Sequence, residues 1–263
     1  MSLMNLFSLK GKTAIVTGGA GHLGTAFSEA LAEAGANVVI ASRNEKKCIE
    51  LAERLRNEYD ITAVGMELDV SSLDSINKCW ENVYLKTGSI DILVNNATYG
   101  ASGSIETLSE DDWAKGIDGT INNVFRCTKA AIPYMKQQKT GVIINISSMY
   151  GNVSPDPMIY GDSGFDSPPN YGAGKSAIMQ FTRYCACHLA DYGIRVNCIS
   201  PGPFPNPDVQ KEGWFIDNLN NKNPLGRIGQ PSDLKGIAIL LASDASSYIT
   251  GQNIFIDGGW TIW

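Results

Sequence analysis

A tyrosine and a lysine lie four residues apart in the segment YGAGK, at Tyr171 and Lys175. If the segment is helical, both side chains lie on one face, with about 5–6 Å between their Cβ atoms. A free phenol has a pKa of about 10, and a neighbouring ammonium stabilises the phenolate and lowers this pKa. The pair is therefore suited to acid–base catalysis, in which Tyr171 gives a proton to a carbonyl oxygen or takes one from a hydroxyl.

Ser148 is a candidate partner in this chemistry. It is the second serine of NISS (145–148), at the predicted end of a strand. A hydroxyl in that place can hydrogen-bond a substrate oxygen while negative charge develops on it. A lone Tyr-x-x-x-Lys pair is more often an ordinary surface pair on a helix, so the interpretation depends on the elements that position these residues.

Apolar runs and amphipathic stretches alternate along the chain. The apolar runs predict strands at 13–18, 37–42, 63–70, 90–97, 141–148, 194–200 and 253–259. The amphipathic stretches predict helices at 23–35, 45–58, 72–87, 109–137, 171–192 and 231–242. Continuously apolar strands with helices between them indicate a parallel sheet that is covered on both faces. The sequence therefore predicts a doubly wound α/β fold, in a single domain that spans residues 1–263.

Two irregular segments, 149–170 and 201–225, are rich in Pro, Gly and Asn and leave predicted strands. Loops at the carboxyl ends of parallel strands form the ligand crevice of such a sheet. Both segments are therefore predicted substrate loops, and 207–225 is predicted to be a mobile lid.

The composition excludes several classes of function. With 21 Lys and Arg against 27 Asp and Glu, and no basic cluster, the chain has no electrostatic reason to bind nucleic acid or an anionic membrane. No apolar stretch approaches the roughly 18 residues of a membrane span, and the N-terminus lacks the apolar run of a signal peptide, so we expect a cytoplasmic protein. The cysteines have no disulfide or metal-site spacing, and all are predicted to be buried thiols. They are Cys48, Cys79, Cys127, Cys185, Cys187 and Cys198.

A glycine-rich turn follows the first predicted strand, in TGGAGHLGTAF. Its glycines at positions 18, 19, 21 and 24 allow a tight turn and let backbone N–H groups approach a pyrophosphate closely. The next predicted helix directs its positive N-terminal end at the same phosphates. Because the turn lies between a strand and a helix, it indicates nucleotide binding more strongly than glycines alone.

Five motifs together resemble the classical short-chain dehydrogenase/reductase family. They are TGGAGHLG (17–24), NNA (95–97), NISS (145–148), YGAGK (171–175) and SPG (200–202), in the family's order and approximate spacing. The resemblance covers the chain from about residue 8 to about residue 260. It implies a Rossmann-type fold, a nicotinamide cofactor, hydride transfer between a carbinol and a carbonyl, and a homotetramer.

The resemblance also implies roles for individual residues. Tyr171 is then the general acid/base, Lys175 also holds the nicotinamide ribose, and Ser148 binds the substrate oxygen. Val70 flanks the adenine together with its neighbour at 69, and the segment 201–204 lies at the carboxamide. The residues expected to bind the cofactor are Gly18, Gly19, Gly21, His22, Leu23, Gly24, Ser42, Arg43, Asp69, Val70, Asn95, Ala97, Lys175, Pro201, Gly202 and Phe204.

Two positions depart from the family pattern. His22 stands where the classical glycine turn has its second glycine, so that Gly18, Gly21 and Gly24 fit the TGxxGxxG spacing of the family's extended branch. The NNA and SPG motifs, and the short length of chain after the catalytic lysine, favour the classical branch. Thr120 stands where the family has an asparagine that holds a proton-relaying water, which makes Thr120 the candidate for this catalytic role.

The segment between Ser148 and Tyr171 is longer than in the family, with 23 positions where about a dozen are common. It must lie beside the reacting carbon, because it joins the predicted serine-bearing strand to the tyrosine-bearing helix. A polar and aromatic lining suits a polyhydroxylated substrate better than an acyl chain. The alternative is an insertion that packs against a neighbouring subunit. The segment carries three aspartates and the large side chains Tyr150, Met158, Tyr160 and Phe165.

The end of the second predicted strand indicates which cofactor is used. NAD-specific enzymes carry an acidic residue there, whereas this chain has Ser42 followed by Arg43. A hydroxyl and a guanidinium bind a 2′-phosphate that a carboxylate would repel. NADP(H) is therefore the predicted cofactor, with NAD(H) as the alternative.

Together, these patterns predict an NADP(H)-preferring oxidoreductase that acts on a small polar alcohol or carbonyl compound such as a sugar, polyol or sugar acid. One alternative is a carbonyl reductase for acyl substrates, which predicts an apolar lining of the two loops. Another is a nucleotide-binding regulatory protein that has lost turnover. Trp260 and Trp263 are costly to expose and are predicted to lie in a subunit interface. No metal site is expected.

Overall fold

The computed structural model describes residues 2–161 and 166–263. One parallel sheet contains the strands β1 (Thr13–Thr17), β2 (Asn37–Ser42), β3 (Ala63–Glu67), β4 (Ile92–Asn95), β5 (Gly141–Ile146), β6 (Ile194–Pro201) and β7 (Asn253–Ile256). Their order across the sheet is β3-β2-β1-β4-β5-β6-β7, and every neighbouring pair is parallel. The predicted doubly wound, Rossmann-type sheet of seven strands is confirmed.

Helices connect the strands and cover both faces of the sheet. They are α1 (Leu3–Phe7), α2 (His22–Glu33), α3 (Glu45–Glu58), α4 (Leu73–Thr87), α5 (Glu110–Ile117), α6 (Asn123–Gln138), α7 (Pro157–Tyr160), α8 (Pro169–Leu189), α9 (Gly213–Lys222) and α10 (Lys235–Ala242). The side chains of Asn44, Ser72 and Ser109 begin α3, α4 and α5, because each accepts a hydrogen bond from the backbone N–H three residues later. In the described part of the chain, no helix is long and apolar enough to cross a membrane.

The strands are apolar throughout because both faces of the sheet are buried. Consecutive strand residues point to opposite faces, and Ile15 and Val16 accordingly belong to two different buried clusters. Side chains of α2, α3 and α10 pack in the cluster that contains Val16, whereas side chains of α4, α6 and α8 pack in the one that contains Ile15.

The helices differ from the prediction in two ways. The predicted helix 109–137 is divided by a π-helical turn at 118–122, which lies between α5 and α6. The helices α1, α7 and α9 are not among the predicted ones. The first two have five and four residues, too few to show a helical period. The third lies in the segment that was predicted to be a lid.

The two irregular segments pack on each other, and we call their described residues (149–161, 166–170 and 201–225) the cap. A buried apolar cluster joins them to the C-terminal turn. Its members are Met149, Ile159, Phe215, Leu219, Ile228 and Trp260. Trp260 is only 4% exposed within this chain, so its predicted place in a subunit interface is wrong, whereas Trp263 is 76% exposed. Burial of all six thiols is also wrong for Cys187, which is exposed, while the other five are buried.

Candidate active site

The carboxyl ends of four strands bring the candidate residues to one edge of the sheet. The neighbours β1 and β4 are where the strand order reverses, which is the point at which such sheets bind ligands. The glycine turn follows β1, the NNA segment closes β4, Ser148 follows β5, and the PG segment at 201–202 closes β6. Motifs that lie far apart in the sequence are therefore neighbours in space.

Tyr171 lies in the first turn of α8, and Lys175 lies one turn further on the same helix. Pro169 is the first helical residue, where the fixed backbone angle and missing N–H of proline are compatible with a helix. The backbone N–H of Tyr150 donates to Ser148 Oγ at 3.1 Å. Ser148 and Tyr171 line the same cavity.

Lys175 is buried, at 3% exposure. Its Nζ donates to the backbone oxygen of Ile146 at 2.8 Å and lies 5.5 Å from the centre of the Tyr171 ring. The ammonium is therefore held between β5 and the face of the phenol ring, as the spacing of the two residues predicts.

Burial dominates the electrostatics of this pair. It raises the pKa of Tyr171, and the hydrogen bond from Ser148 lowers that pKa by less. Burial also lowers the pKa of Lys175 to about 8. The sequence predicted instead that Lys175 would lower the pKa of Tyr171. The pKa of Tyr171 is raised instead, because removal of the phenol from water disfavours its charged form.

A cavity of about 410 Å³ runs along this edge of the sheet. Most of the predicted site residues line it: Gly18, Gly21, His22, Leu23, Gly24, Ser42, Arg43, Val70, Ala97, Ser148, Tyr171, Lys175, Pro201, Gly202 and Phe204. The lining does not include four others: Gly19, Asp69, Asn95 and Thr120. One ligand in this cavity can therefore touch both the glycine turn and the acid–base residues.

Three of the residues outside the lining support the cavity wall. A Cβ on Gly19 would lie 2.8 Å from a carbonyl oxygen of β1, so Gly19 lets the turn pack against its own strand. Asn95 is 2% exposed, and its amide donates to side chains of β5 and α6 at 2.9 and 3.0 Å. Asp69 accepts hydrogen bonds from the backbone N–H and the hydroxyl of Ser71, which close the turn after β3.

Thr120 lies in the π-helical turn and packs against α8. It is buried, and a Cβ on Gly174 would lie 1.8 Å from Thr120 Oγ1. The Thr120 hydroxyl donates to the backbone oxygen of Gly116 at 2.8 Å. Thr120 also lines a second cavity of about 290 Å³, which Tyr171 lines as well. The structure thus connects Thr120 with Tyr171 through a cavity, while the lysine ammonium is bound to β5.

The glycine turn has the shape that a pyrophosphate requires. A Cβ on Gly24 would lie 2.0 Å from the backbone oxygen of Gly18, so only glycine lets α2 begin this close to β1. Gly21 is the N-cap of α2 and offers no side chain to the first N–H groups of the helix. His22 Nε2 is buried and has no hydrogen-bond partner among the described residues. Unpaired donors at a helix N-terminus fit the diphosphate of a dinucleotide.

Ser42 and Arg43 line the cavity after β2, at the end expected for the adenosine. The Ser42 hydroxyl lies 3.0 Å from the thiol of Cys48. No Asp or Glu of the described residues lines this cavity, so its electrostatics suit a phosphorylated ribose. Nor do the described residues contain a group of three or more His, Cys, Asp or Glu side chains that could hold a metal ion.

Asn96 is a supporting residue that the sequence analysis missed. Its Nδ2 donates to the backbone oxygens of Thr17 and Gly18, at 3.0 and 3.1 Å, and so ties the end of β4 to the glycine turn. The NNA motif indicated this segment, but its middle residue has no property in the sequence that distinguishes it from Asn95.

A second missed group joins three segments beside the cavity, which Tyr99 lines. The Tyr99 hydroxyl and the Arg126 guanidinium both donate to the carboxylate of Asp118. Arg126 also donates to the backbone oxygen of Val70 at 3.4 Å, at the predicted adenine position. Burial, followed by the Asp118 carboxylate, raises the pKa of Tyr99 to about 12. No sequence motif joins these residues, so only the fold could reveal the group.

The two parts of the cap pack on each other, and its residues Pro201, Gly202 and Phe204 line the cavity. Lys222 of α9 pairs with Asp156, and Asn218 Nδ2 donates to the backbone oxygen of Ile159 at 3.2 Å. These contacts make the inserted segment and the predicted lid one packed unit.

The predicted anchors of the insertion have different surroundings. The hydroxyls of Tyr150 and Tyr160 are hydrogen-bonded at 2.8 Å, and the Tyr160 ring packs on that of Phe215 with centroids 5.8 Å apart. Met158 is 83% exposed. Phe165 lies outside the described residues, as does one of the three aspartates, at position 162.

Comparison with known proteins agrees with this geometry. The family profile described as Enoyl-(Acyl carrier protein) reductase matches residues 18–261. The chain is 35% identical to the sorbose reductase of Candida albicans, over 99% of this chain and 90% of that protein. It is 36% identical to the 3-oxoacyl-[acyl-carrier-protein] reductase of Thermotoga maritima, over 97% of this chain and 99% of that protein. The crystal structure of a gluconate 5-dehydrogenase from Burkholderia cenocepacia, in complex with NADP and tartrate, has a TM-score of 0.90 and 32% identity, covering all of both chains.

Proposed function

Because this chain belongs to the classical short-chain dehydrogenase/reductase family, we propose that it is an NADP(H)-preferring oxidoreductase acting on a sugar, polyol or sugar acid. The observation that carries the proposal is that Ser148, Tyr171 and Lys175 line one cavity with the glycine turn, with the Lys175 ammonium 5.5 Å from the centre of the Tyr171 ring. A regulatory protein without turnover has no need for these three residues beside the nucleotide site.

The cofactor, when bound, accepts or supplies the hydride, and the protein manages the proton. Tyr171 gives its proton to the carbonyl oxygen in reduction and takes the hydroxyl proton in oxidation. Burial raises the pKa of Tyr171, so the phenol holds its proton at neutral pH, which is the form that reduction uses. Ser148 hydrogen-bonds the same oxygen, and the charged form of Lys175 stabilises the phenolate that reduction leaves behind.

Thr120 is proposed to serve the proton supply. The second cavity is lined by polar side chains, including those of Thr98, Thr120 and Asn170, and it reaches Tyr171. Its volume of about 290 Å³ is ample for waters that pass protons from solvent to the phenol. The Thr120 oxygen, whose own proton goes to Gly116, would then accept a hydrogen bond from one of these waters.

NADP(H) is proposed as the preferred cofactor and NAD(H) as the weaker one. The cavity offers a serine and an arginine after β2 and has no acidic residue among its described lining. The gluconate 5-dehydrogenase that the structure resembles was solved with NADP. Calorimetric titration with both oxidised cofactors tests this choice, and tighter binding of NAD+ would contradict it.

A second candidate function is reduction of a 3-oxoacyl thioester, which the similarity to the Thermotoga maritima enzyme favours. The discriminating experiment follows the absorbance of reduced nicotinamide with ketoses and keto acids in one set of assays and acetoacetyl thioesters in the other. A higher kcat/KM with the polyhydroxylated compounds supports our proposal. Turnover of the thioesters alone would replace it with the second candidate.

We propose three further properties. Residues 1–263 act as one dinucleotide-binding domain with substrate loops at 149–170 and 201–225, which the shared sheet and the packed cap support. A cytoplasmic location is supported by the free thiols.

A homotetramer is supported by the exposed Trp263 and Ile262 at the C-terminus. Light scattering of the purified protein tests the last point, and a monomer would refute it.

A further inference from the structure

Tyr99 lies where the two cavities of the active site meet. Of the described residues, Thr98, Tyr99 and the catalytic Tyr171 line both the cofactor cavity of about 410 Å³ and the second cavity of about 290 Å³. Tyr99 has no part in the acid–base mechanism described above. Its side chain belongs instead to the group of hydrogen bonds at Asp118, which is the first residue of the π-helical turn that carries Thr120.

The Asp118 carboxylate anchors the side chain of Tyr99. It accepts hydrogen bonds from the Tyr99 hydroxyl, the Arg126 guanidinium and the Asn122 amide. The Asp118 and Arg126 side chains are less than one-third exposed, so solvent weakens their interaction less than that of a surface pair. Burial by itself would raise the pKa of Asp118, but the hydrogen bonds from Arg126 and Tyr99 hold this pKa below its ordinary value. The carboxylate therefore stays charged and remains a strong acceptor for the phenol at neutral pH.

The next residue of the turn, Gly119, holds the backbone of the same loop. Its carbonyl oxygen accepts hydrogen bonds from the backbone N–H of Tyr99 and from the Thr98 hydroxyl, both at 3.1 Å. A Cβ on Gly119 would lie 1.8 Å from the backbone oxygen of Tyr99, so the loop and the turn approach this closely only at a glycine. Tyr99 is thus fixed to the turn through both its backbone and its hydroxyl.

Thr120, the third residue of the turn, meets the catalytic helix. It is 2% exposed and lies against Gly174, which stands between Tyr171 and Lys175 in α8. A π-helical turn is rare and is frequent at functional sites. Because Asp118 and Gly119 hold one end of this turn against the loop, the place of Thr120 in the second cavity depends on the contacts that Tyr99 makes.

We propose that Tyr99 is a positioning residue for proton transfer, which holds the π-helical turn through Asp118 and Gly119 so that Thr120 stays in the second cavity beside Tyr171. This inference rests on the proposed role of Thr120 in the proton supply. Loss of the Tyr99 hydroxyl removes one of the donors to Asp118 and loosens the loop from the turn. A small displacement of a group that positions a reacting partner has a large effect on rate.

The test is a double-mutant cycle. Tyr99→Phe removes only the phenol hydroxyl, and Thr120→Val removes the threonine hydroxyl while keeping the side-chain shape. Reduction is followed at saturating NADPH with erythrulose or, if the wild-type protein does not reduce that ketose, with an acetoacetyl thioester. We expect kcat to fall about 3- to 10-fold in Tyr99→Phe and about 10-fold in Thr120→Val. The double variant should be no slower than Thr120→Val, because Tyr99 acts through Thr120.

Two further measurements distinguish positioning from a general loss of structure. The solvent deuterium isotope effect on kcat should rise in Tyr99→Phe, because the proton supply then limits the rate more strongly. The substrate KM and the NADPH dissociation constant should both stay within about twofold of the wild-type values, since the phenyl ring still lines the cofactor cavity.

Asp118→Asn is a second variant of the same group. It keeps an oxygen acceptor and removes the charge that pairs with Arg126, and it should change kcat and the isotope effect in the same direction as Tyr99→Phe. If Tyr99→Phe does not fold, Asp118→Asn takes its place in the cycle. The matched control is Tyr184→Phe on the exposed side of α8, which removes a hydroxyl 3.3 Å from His188 and should change neither quantity.

The outcomes separate this inference from the proposed function. Effects that multiply in the double variant, a wild-type rate in Tyr99→Phe, or a loss confined to NADPH affinity would each overturn the inference and leave the proposed function in place. Full activity of Thr120→Val would refute the proposed proton supply and this inference with it. Reduction of the thioester alone would refute the proposed substrate class, while the cycle would still decide the role of Tyr99.

Discussion

The cofactor side of the cavity and its cap side are built in different ways. On the cofactor side, the contacts are made to backbone atoms: Gly24 packs against the backbone of Gly18, and the side-chain amide of Asn96 donates to backbone oxygens of the same turn. On the cap side, side chains meet side chains, through an apolar cluster, a pair of phenols and one ion pair. A backbone contact leaves no room for a new atom, whereas a side-chain contact can be rebuilt with other residues. The first region therefore suits a shared cofactor, and the second suits a substrate that varies between relatives.

Tyr171 stands where the two regions meet, and its removal should have the largest effect. Tyr171→Phe is expected to lower kcat about 10²- to 10⁴-fold, because the phenyl ring cannot transfer a proton. The NADPH dissociation constant should change by less than about threefold, since the ring is kept. Steady-state kinetics and calorimetry check the two parts. Activity near the wild-type level would show that another group carries the proton.

Gly24→Ala tests the backbone contact on the cofactor side. The new Cβ would lie 2.0 Å from the Gly18 oxygen, so α2 must move and NADP(H) binding should weaken at least about tenfold. The matched control is Gly236→Ala in α10, where a Cβ meets nothing within 4 Å. Calorimetric titration with NADPH compares the two variants. Equal affinities would show that the backbone contact between Gly24 and Gly18 does not restrict the cofactor side.

The pH dependence of reduction reports on Lys175. Its pKa is lowered by burial to about 8, so the ammonium is charged below that pH and neutral above it. Because the charged form stabilises the phenolate on Tyr171, kcat for reduction should fall as the pH rises through about 8, by roughly tenfold between pH 7 and pH 9. A rate that is constant across this range would separate Lys175 from the proton transfer.

Lys222→Met tests the cap, where we expect the smallest effect. The Lys222–Asp156 pair joins α9 to the insertion, but both side chains are about one-third exposed, and solvent weakens such pairs. Substrate KM should rise about two- to threefold while the NADPH dissociation constant stays the same. Lys211→Met breaks the far more exposed pair with Asp208 and serves as the control. If cofactor affinity falls instead, the cap is coupled to the cofactor side.

Much of the fold was predictable because its signals are local. A strand buried on both faces needs a continuous apolar run, as in β1, and a proline pair indicates where α8 begins. The π-helical turn at 118–122 was not predictable, because its residues keep a helical pattern. The break occurs where Gly119 meets the backbone of Tyr99, at a distance that only the packed chain defines.

For the candidate site, the sequence by itself determined which residue types can transfer a proton and which turn can approach a phosphate. The spacing of Tyr171 and Lys175, and of the glycines after β1, carries that information over a few residues. The tertiary structure decided the rest: the pKa shifts of Tyr171 and Lys175, the Asp118–Arg126 pair, and the burial of Trp260. These properties depend on how much water the other segments exclude and on contacts between distant segments, which no local pattern encodes.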